Sequence, residues 1–162
     1  MTTTSSGTPS GTRASDRRPV VVGISRETGS TSALIWAWKE ARLRKVPLLA
    51  VTAWQPALPS PGPAPRPSFA PSSAEEVHQQ ADEQLRRLVQ DAIGTVPGVS
   101  TQAIRGGTTS VLTQAAAGAQ LLVLGPPHPN RSSGLVSGRR VLRLTSRVAC
   151  PVVVMPAPTH PD

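Results

Sequence analysis

The 162-residue chain contains one cysteine, no tyrosine, one phenylalanine and three tryptophans. Each shortage removes a class of protein. The single thiol, Cys150, cannot form an internal disulfide and fits a reducing compartment. It precedes Pro151 at the start of an apolar run and has no positioned histidine base, so it reads as a packing residue rather than a nucleophile. His78, His128 and His160 are far apart, and no Cys/His/Asp group has ligand spacing, so no metal site is expected. So few aromatic rings offer no stacking platform for single-stranded nucleic acid. No apolar run is long enough for a transmembrane helix, and the opening MTTTSSGTPSGTRASDRR lacks the apolar core of a secretory signal. A cytoplasmic protein without a membrane role is the expectation. Acidic residues are also missing from one region. None lies between Asp91 and Asp162, where Arg105, Arg131, Arg139, Arg140, Arg143 and Arg147 all fall, within a chain of net charge +8. A half of this kind attracts phosphate-bearing partners, or is simply a solvated arginine surface.

What is present is alternation. VVVGI after Pro19 has the unbroken β-branched run of a strand buried on both faces. Thr28, Ser30 and Thr31 are helix-capping types, and Ala33, Leu34, Ala37, Trp38 and Ala41 follow at helical spacing. A second strand is expected over Val46–Trp54. Ser72 and Ser73 stand three residues before Glu75 and Glu76, a capping-box pattern. Val77, Ala81, Leu85, Leu88 and Ala92 continue it as a helix stopped at Gly94. Strands at Val99–Ile104, Leu121–Leu124 and Pro151–Met155 alternate with a short helix over Thr108–Gly118 and another beginning near Gly138. The order βαβαβαβαβ predicts an α/β fold: a five-stranded parallel, doubly wound, Rossmann-like sheet with helices on both faces.

Three stretches fall outside this pattern. Residues 1–18, rich in Thr, Ser and Gly, are expected to form a disordered tail, as are residues 157–162. Residues 55–71, QPALPSPGPAPRPSFAP, are too dense in proline for helix or central strand and read as an extended insertion. One domain is therefore expected over residues 19–156.

The turns suggest where a ligand would sit. VVVG ends at Gly23 and LLVLG at Gly125, and the second leads into a helix start at Gly138. A strand that ends in glycine and feeds a helix N-terminus suits a phosphate, because backbone and free N–H groups can approach it closely. In open α/β sheets such pockets lie at the carboxyl ends of the strands. In the last helix Arg139, Arg143 and Arg147 recur every four residues, opposite Val141, Leu144 and Val148, so the arginines form an outward face. That face lacks the Asn or Gln side chains that address base edges, so no sequence-specific nucleic-acid binding is expected.

Taken together, VVVGIS, SALIWAWKEA, LLAVTAW, RGGTTSVLTQAA, AQLLVLG and VACPVVVM resemble the universal stress protein family, in the family's order and over nearly all of Pro19–Met155. The resemblance implies an adenine nucleotide alpha hydrolase-like fold. It also implies a loop of pattern glycine, two residues, glycine, nine residues, glycine, then serine or threonine, which holds ATP in nucleotide-binding members. Gly125 fills the first position, His128 stands at the second glycine, Gly138 at the third, and Arg139 replaces the hydroxyl, with Arg140 beside it. Ser25 stands where the family usually has an aspartate, and Ala53 where it places a small residue against adenine. Histidine suits a close-approach glycine position poorly, and Pro126, Pro127 and Pro129 remove N–H donors, whereas Arg139 offers a planar cationic fork.

The expected nucleotide-site residues are thus Gly23, Ser25, Ala53, Gly125, His128, Gly138, Arg139 and Arg140, with ATP as the implied cofactor and no catalytic residues. The resemblance further implies a homodimer through Val152, Val153 and Val154. The expected function is a non-enzymatic stress-response or regulatory protein with a modified nucleotide pocket. Alternatives are a functional ATP binder, or an interaction module that docks an unknown protein partner through the arginine face or the proline-rich insertion.

Overall fold

The computed structural model describes residues 18–25, 31–56, 73–126 and 138–156. Apolar runs become strands and periodic segments become helices in strict alternation: β1 (Val20–Gly23), α1 (Thr31–Arg44), β2 (Leu48–Trp54), α2 (Ala74–Ile93), β3 (Val99–Arg105), α3 (Thr108–Ala115), β4 (Leu121–Leu124), α4 (Gly138–Thr145) and β5 (Val152–Val154). The strands form one parallel sheet in the order β3-β2-β1-β4-β5. The five-stranded doubly wound sheet expected from the sequence is therefore present. The tails short of Arg18 and past Pro156, the insertion beyond Pro56, and the cap candidates Thr28, Ser30 and Ser72 lie outside the described residues.

Local chemistry sets the helix ends. Ser73 caps α2: its hydroxyl accepts from the Glu76 N–H at 3.1 Å, and the Glu76 carboxylate accepts from the Ser73 N–H at 3.3 Å. These two bonds satisfy donors that the first helical turn leaves free. Gly94 ends the same helix at φ 75°, where a side chain would be strained. α1 closes through paired bonds from Val46 N–H to Ala41 C=O and from Lys45 N–H to Arg42 C=O. Lys45 takes the left-handed position of that motif (φ 56°), where glycine is usual.

The sheet separates two cores. Val20, Val22 and Ile24, with Leu48, Ala50, Leu121 and Val123, pack under Ala33, Leu34, Ala37 and Ala41 of α1 and Leu85 and Val89 of α2. On the other face Val21, Val51, Leu122 and Leu124 pack under Val111 and Leu112 of α3, Ala116 just beyond it, and Leu144 of α4. The three valines of β1 are wholly buried because the strand is central and covered on both sides. β5 lies at one edge, with Val153 facing the first core and Val152 and Val154 the second. As the spacing predicted, Leu144 is buried and Val141 and Val148 are half-buried, while Arg139, Arg143 and Arg147 are exposed.

Candidate functional site

The order β3-β2-β1-β4-β5 reverses direction between β1 and β4. Crossovers from β1 place α1 and α2 on one face, and the crossovers around β4 place α3 and α4 on the other. In open α/β sheets such a reversal, at the carboxyl ends of the two strands, is where a ligand crevice forms. Ser25 ends the described part of the first loop, and Gly125 and Pro126 begin the second. Ser25 and Gly125 are both buried. Gly138 opens α4, and Arg139 behind it is exposed, so a guanidinium and the helix N-terminus belong to one short segment.

A cavity of about 150 Å³ lies beside Ser25, lined by Ile24, Ser25, Thr52, Ala81, Gln84, Leu85 and Leu88. α2 forms its roof, and the tips of β1 and β2 form its floor. The Thr52 hydroxyl donates to the Ile24 carbonyl at 3.0 Å and ties the two strand tips together. A shallower groove of about 410 Å³ shares Gln84 and Leu88 and extends to Thr31, Arg87, Asp91 and Ala92. The walls of the smaller cavity carry hydroxyl and amide groups on an apolar surface, and among the described residues no ionisable side chain lines it. Such a surface can sheath a flat heterocycle and satisfy its edge.

The expected site residues separate into groups. Ser25 and Gly125 lie at the tips of the adjacent strands β1 and β4, with α4 carrying Gly138, Arg139 and Arg140 on the same chain segment that follows β4. Gly23 serves packing: a Cβ there would meet Leu112 Cδ2 at 3.0 Å and Leu124 Cδ2 at 3.2 Å, so its place in β1 lets α3 approach the sheet. Ala53 is half-buried on the α3/α4 side beside Ile104, whereas its neighbour Thr52 lines the cavity. His128 lies outside the described residues, as do Pro127, Pro129 and Arg131.

Sequence reasoning missed Thr52 and the α2 residues of the roof. Period-two alternation on β2 carries the signal for Thr52, since Leu48, Ala50 and Thr52 share one face. Gln84 falls one turn after Ala81, on the inner side of α2. A second missed feature is an aromatic stack. Trp54 and His78 lie with ring centroids 5.2 Å apart and planes 13° apart, and the Arg105 guanidinium sits 5.9 Å from the Trp54 centroid. Trp54, Val77 and Ala81 form a small third core beside the cavity. The Trp54 indole Nε1 is buried and finds no partner among the described residues.

Among the described residues no three His, Cys, Asp or Glu side chains gather as a metal site, and no helix is long and apolar enough to cross a membrane. Burial raises the pKa of the half-buried Cys150 thiol, against smaller opposing backbone hydrogen bonds from Cys150 and Leu122, which keeps it protonated near neutral pH.

Comparison with known proteins agrees with this fold. A universal stress protein of Mycobacterium tuberculosis is 26% identical over 138 residues, which is 85% of this chain and 48% of that protein. The chain thus spans about half the length of that relative. Among solved structures, the universal stress protein of Lactobacillus plantarum superposes with a TM-score of 0.58 at 17% identity, over 85% of this chain and 97% of that one. A universal stress protein crystallised in complex with cAMP superposes with a TM-score of 0.53 at 19% identity, over 86% of this chain and 97% of that one. These structural likenesses are likenesses of fold. The sequence model of the universal stress protein family matches residues 16–156, and the chain belongs to that family.

Proposed function

We propose that this protein is a non-enzymatic regulatory member of its family that takes an adenine nucleotide into a modified pocket at the carboxyl ends of β1, β2 and β4. The observation that carries the reading is the cavity beside Ser25 and Thr52, next to the point where the strand order reverses. Its lining suits a base, and Gly125, Gly138 and Arg139 follow the family's phosphate loop in spacing. The cAMP complex of a structural relative supports a nucleotide of this size. Two changes set the character of the site. Pro126 lacks an N–H to donate to phosphate, and Arg139 replaces a hydroxyl that would orient phosphate or a metal-bound water. Phosphate contact then rests on the Arg139 guanidinium, with Arg140 beside it in sequence, and on the helix N-terminus, while Ser25 supplies no carboxylate. Binding without turnover is the result, so nucleotide acts as a signal rather than a substrate. The edge strand β5 is apolar on both faces, and a second copy pairing there would complete the molecule as a homodimer in the cytoplasm.

The test is a thermal-shift and calorimetric titration with ATP, ADP, AMP and cyclic AMP. Ligand at about a hundredfold over Kd should stabilise the native state by about 2.7 kcal/mol, a rise in Tm of about 5–10 °C for a chain of this size. Arg139→Ala should weaken ATP by about tenfold or more, the scale of a charge-assisted hydrogen bond, and change adenosine little. No shift at millimolar nucleotide sinks the reading, and phosphate release at a rate above that of buffer removes its non-enzymatic half.

A further inference from the structure

We infer that the outer surface of the α3/α4 layer binds the phosphate backbone of double-stranded nucleic acid without sequence preference. The inference rests on how the sheet sorts charge, and it does not depend on the nucleotide pocket. Six acidic residues are described, Glu40, Glu75, Glu76, Asp82, Glu83 and Asp91, and all lie on α1 or α2. The ion pairs seen there, Glu40–Arg44, Asp82–Arg86 and Glu83–Arg87, each join residues four apart on one helix. Among the described residues the opposite layer has no carboxylate. Arg139, Arg143 and Arg147 are exposed there and make no ion pair among the described residues. Thr145 and Ser146 between them, and Ser110 and Gln114 on α3, are exposed as well. Guanidinium, hydroxyl and amide groups without carboxylates are the side chains that contact phosphate oxygens in protein–DNA interfaces.

Spacing and packing narrow the partner. Arg139 and Arg143, four apart on α4, are separated by a rise of about 6 Å, and Arg147 follows in the turn after the helix, so the stripe is longer than one phosphate group and suits a duplex with a charge every ~1.7 Å of axis. Single strands are held by stacking on aromatic rings. The tryptophans serve the other layer: Trp36 and Trp38 pack against the α1/α2 core, and Trp54 packs under α2. An anionic membrane is also disfavoured. An interfacial helix inserts its apolar face into lipid, and the apolar face of α4 is spent on the sheet, with Leu144 fully buried. Leu142, 71% exposed, is the one large apolar side chain this layer presents among the described residues.

Fluorescence anisotropy with a labelled 20-base-pair duplex of mixed sequence tests the inference. Three phosphate contacts give a slope of log K against log salt of about −2.7, or about 40-fold weaker binding at 200 mM than at 50 mM. Arg143→Glu with Arg147→Glu should weaken binding at least tenfold and bring the slope near −0.9, with the nucleotide response and melting curve retained. Arg86→Glu with Arg87→Glu changes the net charge equally on the other layer and should stay within twofold of the native protein. The inference is overturned if both pairs lose binding equally, since net charge alone then acts. It is also overturned if a dT20 strand binds more tightly than the duplex, or if the protein ignores duplex at 50 mM salt and sediments with anionic phosphatidylserine vesicles instead.

Discussion

On one face of the sheet α1 and α2 run 14 and 20 residues; on the other α3 and α4 run eight residues each. The longer pair carries a capping box, intrahelical ion pairs and eight buried residues, four per helix. The shorter pair carries no acid, α3 has no side-chain cap, and Leu144 is the residue that buries α4. Helices this short are marginal in isolation and persist through packing. The first layer is thus built for stability, and the second combines weak local support with cations that make no ion pair among the described residues. Functional elements are commonly drawn from the less stable parts of a fold.

That contrast can be tested by deletion. Leu144→Ala has the largest expected effect, about 2–5 kcal/mol, because it removes the buried anchor of α4. Urea unfolding measures it, and hydrogen exchange should find α4 opening well before α2. Gly23→Ala probes how closely the short layer seats. Its Cβ contacts Leu112 at 3.0 Å, and overpacking there should cost about 1–3 kcal/mol in the same assay. Ser73→Ala addresses the other layer, where loss of the capping box should cost about 1 kcal/mol without altering nucleotide binding. The smallest effect belongs to the ion pairs. Asp82→Ala should change stability by less than about 0.5 kcal/mol, since its Arg86 partner is largely exposed. Equal exchange protection of α2 and α4 would erase the asymmetry.

Much of this was legible in the sequence, for identifiable reasons. The unbroken valines of β1 announced a strand covered on both faces, and Ser73 with Glu76 announced the start of α2. The four-residue step from Arg139 to Arg143, repeated at Arg147 in the turn beyond, announced which face of α4 is wet. The site was harder to read because strand tips obey alternation only when their register is known. Ala53 and Thr52 are neighbours in sequence yet face opposite layers, and only pairing with β1 and β3 decides which one lines the cavity. Glycine marks any close approach, and the group that approaches Gly23 in the fold is Leu112. The Trp54–His78 stack joins residues 24 positions apart, so no local pattern could reveal it. The acid-free stretch was visible as composition, but its coincidence with a single helical layer required the fold.

The most direct test of the account is a titration of isotope-labelled protein with AMP and ATP, followed residue by residue through backbone amide resonances. The account predicts saturable changes at Ser25, Thr52, Gly125 and Arg139, larger at Arg139 with ATP than with AMP, while Arg143 and Arg147 stay unmoved. Changes confined to Arg143 and Arg147, or none at millimolar nucleotide, would contradict a pocket between the strand tips.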